Sequence, residues 1–346
     1  MTDTVTLDDI NLRLLTVLQT QARLTSAQVS DHLGLSQSAC LERWRKLEKQ
    51  GVIRRYRTDI DLDRVTSNIR VFCEVSLDPN RPEALRPLIA DCMAVPEVVA
   101  IYRNTGAYDL LVSVVCRDVR HYHDLTDGLI ARNPAILRFS GHVVLHRIKV
   151  FQGYPLATLT GRPLPPAEPA PMQTTAAPLR LDGLHLKILT TLQTKGRISN
   201  LALAERVALS PSPCLERVKR LEQHGYIAQY VTEIDLERCL PHLYLMAEAS
   251  LGNHGIEEFR RFEAAMSSFP EIISSYKIAG PFDYTMDIIC RDWDHFRALE
   301  QSLAVLCPAL CGLRVAEVKQ RLKHFAGFPL PMLTQGDVSL HSLWKS

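Results

Sequence analysis

Ser36-Gln37-Ser38, followed by Arg43, Arg45, Lys46 and Lys49, is a set of side chains suited to reading a polyanion. Small polar residues let a backbone approach a base edge, and Gln37 offers the donor and acceptor that match adenine. The four cations can neutralise phosphates, and Arg54, Arg55 and Arg57 follow closely. The pattern returns at Ser210, Ser212, Arg217, Lys219 and Arg220. From Ser36 to Arg57 seven cations stand against Glu42 and Glu48, a net of +5; from Ser210 to Val231 the three cations stand against Glu216 and Glu222, a net of +1. Phosphate contacts carry most non-specific affinity for nucleic acid. The first set is therefore expected to bind double-stranded DNA more strongly than the second.

These sets need a helix that presents its leading end. Ser36, and Ser210 with Pro211 behind it, are N-cap signals, with proline at the first helical position in the second case. Gly51 and Gly225 supply the stop. Leu41 and Leu47, and Leu215 and Leu221, are the expected core contacts. Upstream, Ile10, Leu14, Val17 and Leu18 mark one face of an amphipathic helix, with Ile188 and Leu192 its counterpart. A short helix follows, capped by Thr25 or Ser26 in the first copy and starting at Ser199-Asn200 in the second. Two helices, a tight turn and a basic third helix make a helix-turn-helix. Val52–Leu62 and Tyr226–Leu236 are each long enough for a two-stranded wing.

The two sets belong to a whole-chain duplication. Leu7-Asp8 recurs at Leu181-Asp182, and the offset of 174 holds through Cys40-Leu41-Glu42-Arg43 and Cys214-Leu215-Glu216-Arg217 to Pro155-Leu156 and Pro329-Leu330. A repeat of roughly 150 residues exceeds the 20–50 of a solenoid unit, so the unit is a fused subunit. After the helix-turn-helix each copy reads β-α-β-β-α-β, the ferredoxin-like split βαβ order. In the first copy these elements are Val71–Leu77, Glu83–Cys92, Val98–Tyr102, Leu110–Cys116, Val119–Ala131 and Val143–Val150. The expected class is α+β with two such repeats. The domains are 1–64 and 181–238 (winged helix-turn-helix), 65–156 and 239–330 (ferredoxin-like), a proline-rich linker at 157–180 and a tail at 331–346.

The 346 residues carry a net charge of +2, with 46% hydrophobic and 23% charged residues, so a polyanion site must come from local clustering. No apolar run approaches the ~20 residues of a membrane span. The nine cysteines form no Cys-x-x-Cys pair, and Cys307 and Cys311 lack a second pair of ligands. No metal, no cofactor and a cytoplasmic, nucleoid-associated location are expected. Cys40 and Cys214 read as small packing residues.

The run Ser210-Pro211-Ser212-Pro213-Cys214-Leu215-Glu216-Arg217-Val218, with Leu221-Glu222 and Gly225-Tyr226-Ile227, resembles the Lrp/AsnC family of bacterial regulators, as does Gly196-Arg197-Ile198-Ser199. The resemblance covers nearly all of both repeats. It implies a winged helix-turn-helix followed by a regulator-of-amino-acid-metabolism (RAM) domain. It also implies self-association through RAM sheets into a homodimer or higher assembly, and a small amino acid bound between RAM domains. The turns Gly106-Ala107-Tyr108-Asp109 and Gly280-Pro281-Phe282-Asp283 would line that cleft, flanked by Tyr102 and Tyr276. In resembling regulators backbone N–H groups there hold a carboxylate, and an acid such as Asp109 holds an ammonium group. The chain departs from the family in carrying two copies, and in having Ala107 and Pro281 where an acid commonly follows the glycine.

Siroheme decarboxylases also resemble this family, and would need His and Arg gathered in the RAM cleft. The first copy has His121, His123, His142 and His146 with Arg138 and Arg147, whereas the second has His295 and His324. No hydrolase triad, Walker or dinucleotide-binding signature is present. The basic third helix favours a DNA-binding, non-enzymatic regulator over this enzyme and over an effector-sensing adaptor that binds no DNA.

Overall fold

The structure, a computed structural model, describes residues 5–164 and 179–334. The first repeat runs α1 (Asp9–Thr20), α2 (Ser26–Leu33), α3 (Gln37–Lys49), β1 (Ile53–Ile60), the single turn α4 (Leu62–Val65), β2 (Ile69–Leu77), α5 (Leu85–Ala94), β3 (Val98–Asn104), β4 (Leu110–Cys116), α6 (Val119–Arg132), β5 (Ile136–Lys149) and α7 (Leu156–Thr160). The second runs α8 (Gly183–Thr194), α9 (Asn200–Arg206), α10 (Pro211–Gln223), β6 (Ile227–Ile234), β7 (Leu243–Leu251), α11 (Ile256–Ser268), β8 (Ile272–Ala279), β9 (Tyr284–Cys290), α12 (Trp293–Leu306), β10 (Leu310–Lys323) and α13 (Leu330–Leu333). The architecture is α+β throughout. Leu156–Thr160 is helical where the linker was expected to begin, and residues 165–178 of that linker lie outside the described residues, as do 335–346 of the tail.

The chain forms two compact units, and each takes matching parts from both repeats. The first holds the two helix-turn-helix domains. The expected wing is not a hairpin within a repeat. Each copy supplies one strand, and β1 pairs antiparallel with β6, Tyr56 opposite Thr232. One strand per copy is too few to form a sheet, so the backbone hydrogen bonds are completed by the other copy. This exchange explains a misread helix face. Leu12, Leu14, Leu15 and Leu18 are all buried, while Ile10 and Val17 are only half-buried, because α1 packs on its own domain and also on β6. A single amphipathic stripe cannot describe a helix with two partners. On the reciprocal side α8 packs on β1. There Gly196 N donates to Tyr56 O at 2.9 Å, and a Cβ on Gly196 would fall 2.7 Å from the Arg57 carbonyl carbon. Glycine is needed at 196 for that approach.

The second unit is a closed barrel in the order β10-β3-β4-β2-β5-β8-β9-β7. Closure leaves no unpaired edge. The 14-residue strands β5 and β10 close it. The first half of β5 pairs with β2 of its own repeat (Val75 opposite Phe139), and its second half with β8 of the other (Arg147 opposite Tyr276). The sequence pattern marked only Val143–Val150, because the two halves face different surroundings and share no single alternation. Within each strand the period of two holds. Val71, Cys73 and Val75 of β2 pack with Leu88, Cys92 and Leu129 under the helices. Phe72 and Glu74 face the opposite way, toward the barrel interior with Tyr102, Tyr108, Leu111 and Met246.

Candidate functional site

The first helix-turn-helix is built as its signals require, whereas Ser210 stands at the cap position of α10 without a side-chain cap hydrogen bond. Thr25 forms a capping box with Gln28 at α2, and Ser36 Oγ accepts from Ala39 N at 3.3 Å to start α3. Gly34 takes φ +66° in the turn between them, and its counterpart in the second copy is Ala208 at φ +56°. Cys40, Trp44 and Leu47 bury one face of α3, and Cys214, Val218 and Leu221 that of α10. Leu41 is half-buried and Leu215 exposed, so the expected core position shifts from 41 and 215 to 44 and 218. The i, i+4, i+7 spacing from the cysteine identifies this face. Both cysteine side chains are fully buried, and burial raises their thiols above the ordinary range.

Ser36, Gln37 and Ser38 are exposed at the leading end of α3, as are Ser210 and Ser212 at that of α10. Gln37 Nε2 donates to Ser26 Oγ at 3.0 Å, which ties the two helices. The seven cations of the first set divide sharply. Arg43 donates to Asp8 Oδ2 at 2.6 Å and Asn11 Oδ1 at 3.2 Å, fastening α3 to the cap of α1. Arg217 does the same with Asp182 at 2.6 Å. Arg55 donates to Glu233 at 2.7 Å, Arg54 lies 3.5 Å from Asp235, and Arg57 pairs with Asp59, all in or beside the β1–β6 ribbon. Arg45, Lys46 and Lys49 remain exposed and enter no ion pair among the described residues, as do Lys219 and Arg220. The contrast of +5 against +1 thus reduces to three exposed cations against two on the helices themselves. Sequence counting missed the acids, because Glu233 and Asp235 lie far along the chain from Arg54 and Arg55.

The second expected site lies in the barrel. Gly106 and Gly280 both adopt positive φ, at +108° and +152°. The Gly106 turn leans on the other repeat's last strand, Thr105 N donating to Glu317 O at 2.9 Å. The Gly280 turn leans on β5, where a Cβ at Gly280 would fall 2.7 Å from His142 Nδ1. Both turns therefore line the seam between the repeats. Asp109 accepts from Leu77 N at 2.8 Å and Asp283 from Leu251 N at 2.8 Å. One oxygen of each carboxylate, Oδ2, is thus taken by backbone of the neighbouring strand. Tyr102 and Tyr108 are buried, Tyr276 and Phe282 half-buried. Phe72 packs edge-on against Tyr276, and Tyr102 against Tyr244.

Sequence reading missed the polar centre of this seam. Glu74 and Glu248 are related by the offset of 174, both are buried, and the Arg314 guanidinium donates to both. Arg138 reaches Glu74 at 3.4 Å. Phe282 lies 4.4 Å and Tyr108 5.5 Å from the Arg314 guanidinium carbon, ring face toward charge. His142 is buried with neither ring nitrogen hydrogen-bonded, its Nε2 3.4 Å from Glu74. Burial, with Arg138 nearby, lowers its pKa, so it sits neutral. Burial pushes Glu248 up to about 7, against the pull of Arg138. Two carboxylates sharing a dry site hold one proton more readily than either alone. Among the described residues Glu74, His142 and Glu248 are also the group whose ligand atoms lie close enough, within 4.8 Å, to hold a metal ion. Arg314 already balances that charge. The available signal was an acid at the same place in two otherwise apolar strands. His121 and His295 instead pair with Glu97 and Glu271 at 3.1 and 3.0 Å, outside this centre.

The centre is asymmetric. His142 and Arg314 have Ala316 and Ser140 as their counterparts. Cys307 is buried and Cys311 exposed, and no cluster of metal-binding residues joins them among the described residues. No helix of the described residues is long and apolar enough to cross a membrane.

Comparison with known proteins agrees with this construction. The Lrp/AsnC ligand binding domain matches residues 70–153 and 245–306, the AsnC-type helix-turn-helix domain residues 7–48, and a winged helix-turn-helix DNA-binding domain residues 181–228. The leucine-responsive regulatory protein of Haemophilus influenzae is 35% identical over 143 residues, 41% of this chain and 86% of that protein. That of Escherichia coli K12 is 34% identical, over 41% and 87%. The siroheme decarboxylase NirDL, solved with an iron-uroporphyrin III analogue, shares the fold across 97% of this chain and 98% of its own, with a TM-score of 0.62 at 12% identity. The relatives match one repeat's length where this chain has two, and the chain belongs to the Lrp/AsnC family as a tandem duplication of its subunit.

Proposed function

We propose that the chain is a sequence-specific DNA-binding transcriptional regulator, responsive to an amino acid or related small molecule held between its RAM domains. The observation that carries the reading is the division of cations on α3 and α10. Arg43 and Arg217 are committed to the fold, while Arg45, Lys46, Lys49, Lys219 and Arg220 stand exposed behind the open leading ends at Ser36–Ser38 and Ser210–Ser212. A stability role would not need that second group, and a major-groove helix does. The effector would meet Arg314, Arg138 and the aromatic rings of the seam, a mixed polar and aromatic setting that suits a carboxylate-bearing ligand. Self-association beyond the single chain and a place on the nucleoid belong to the same proposal.

Selection of bound fragments from random duplex DNA, with a thermal-shift screen against amino acids, tests both halves. A recurring sequence motif and a ligand that raises the melting temperature by mass action are expected. A chain that retains no DNA at moderate salt would sink the regulator reading.

The one-sided centre of His142, Arg138 and Arg314 favours a second reading, a tetrapyrrole enzyme like the decarboxylase whose fold the chain shares. Siroheme carries several carboxylates that such cations could bind. Titration with siroheme decides: a tight spectral shift followed by loss of carboxyl groups would establish the enzyme, and an unchanged spectrum is the outcome expected of a regulator.

A further inference from the structure

A groove of about 590 Å³ crosses the helix-turn-helix unit from β1 to α9. Its walls include Arg54, Arg55, Lys195, Arg197 and Arg206 with the acid Glu48. Two repeats related by a pseudo-twofold should make two such grooves. The counterpart positions are Ala228, Gln229, Gln21, Arg23 and His32, with Glu222. Four of the five cationic places are thus alanine, glutamine or histidine on the other side.

The neighbouring acids do not cancel the difference. Glu233 and Asp235 pair with Arg54 and Arg55, and counting them leaves the first groove at +2. The second has Arg23 against Glu222, Asp59 and Asp61, a net of −2. The rigid members of the first groove are held by packing. The Arg197 guanidinium stacks 4.4 Å over the Trp44 ring and donates to Leu24 O at 3.1 Å. Lys195 and Arg206 are exposed. The groove also continues from α3, since Arg45 lies one turn before Glu48 on its exposed face.

We infer that this groove is an additional contact for the DNA phosphate backbone, present on one side of the paired helix-turn-helix domains, and that it sets the direction in which the chain lies on its operator. The inference rests on the regulator reading above. A row of cations flanking a floor of Ile53, Ile198 and Ala202 matches a repeating phosphate chain and carries no base code of its own. Its one-sidedness is what adds information. Two similar reading helices alone would bind a near-palindrome in either direction with little preference. A phosphate contact on one flank makes one direction the tighter.

The test uses the full chain and a duplex recovered by fragment selection, with binding followed by fluorescence anisotropy across a salt series. Lys195→Gln/Arg206→Gln should weaken binding about tenfold at low salt and reduce the slope of log K against log salt by about 2. Hydroxyl-radical footprints should be longer on one flank for the parent chain and lose that extension in the double variant. Arg260→Gln/Arg297→Gln on α11 and α12 removes the same charge elsewhere and should leave slope and footprint unchanged. Melting curves verify that both variants fold. If the parent chain binds DNA and the groove variant binds equally well with the same slope, the groove contact is overturned while the regulator reading stands. Equal losses in the two double variants would assign the effect to general charge and overturn it too. A parent chain that binds no DNA removes the regulator reading and this inference together.

Discussion

Arg43 and Arg45 stand two residues apart on α3, about 200° around the helix axis, and that turn separates a side chain tied into the fold from one open to solvent. Arg43 closes on Asp8, whose carboxyl also caps α1 by accepting from Asn11 N at 2.7 Å. Arg45 meets solvent. Partial burial pushes the Asp8 carboxyl up, but the Asn11 N–H and the Arg43 guanidinium outweigh it, and the group titrates below its ordinary range. Arg43→Ala should therefore cost about 1 kcal/mol of stability through the loosened cap, with an unchanged salt slope of DNA binding. Arg45→Ala/Lys46→Ala should do the reverse, lowering affinity and slope with the melting temperature kept. Parallel melting and anisotropy curves check both. An Arg43→Ala variant that melts normally but loses DNA would return Arg43 to the reading face. From sequence the two arginines are indistinguishable members of one basic run. What separates them is the approach of Asp8, 35 positions away, which only the packed domain brings about.

At the scale of elements, the strands of the barrel carry the consequence of the paired glutamates. The alternation of β2 and β7 was legible, because Val71, Cys73 and Val75 are apolar at a period of two. That Glu74 and Glu248 meet was not, since it needs the two sheets closed on each other. The Glu248 carboxyl, raised by burial to about 7, binds a proton in the folded barrel that it would release in the unfolded chain above about pH 4.5. A folded-state pKa above the unfolded value contributes stability that is complete below about 4.5 and is lost as pH rises through about 7. The barrel should melt at lower temperature at pH 8.5 than at pH 5.5, and Glu248→Gln should flatten that interval. A parent curve flat across it would show that Arg314 keeps Glu248 ionised. Strand ends were read less well for a related reason. β5 and β10 serve two partners each, and half of each strand carries a pattern written for the other repeat.

For the molecule as a whole, the duplication was the easiest feature to read and its structural use the hardest. The offset of 174 is visible by inspection, and both domain types follow from capped helices and strand order. The exchange of strands between the copies left no local mark, because β1 with β6 looks the same in sequence as a wing folded on itself. Within one chain β1 finds β6, and β5 and β10 find β8 and β3. Folding of both units is therefore expected to be unimolecular, with a refolding rate that stays constant over a hundredfold range of protein concentration even where folded chains go on to associate. A refolding rate that climbs with concentration would mean that the strands pair between chains. Intramolecular pairing also has a genetic consequence. When a regulator assembles from separate identical subunits, a defective allele can contribute one subunit to every dimer and spoil those made with the normal product. A chain that supplies both partners of its own β1–β6 ribbon and barrel closes those seams before it meets another copy, so a lesion in either half should behave as recessive.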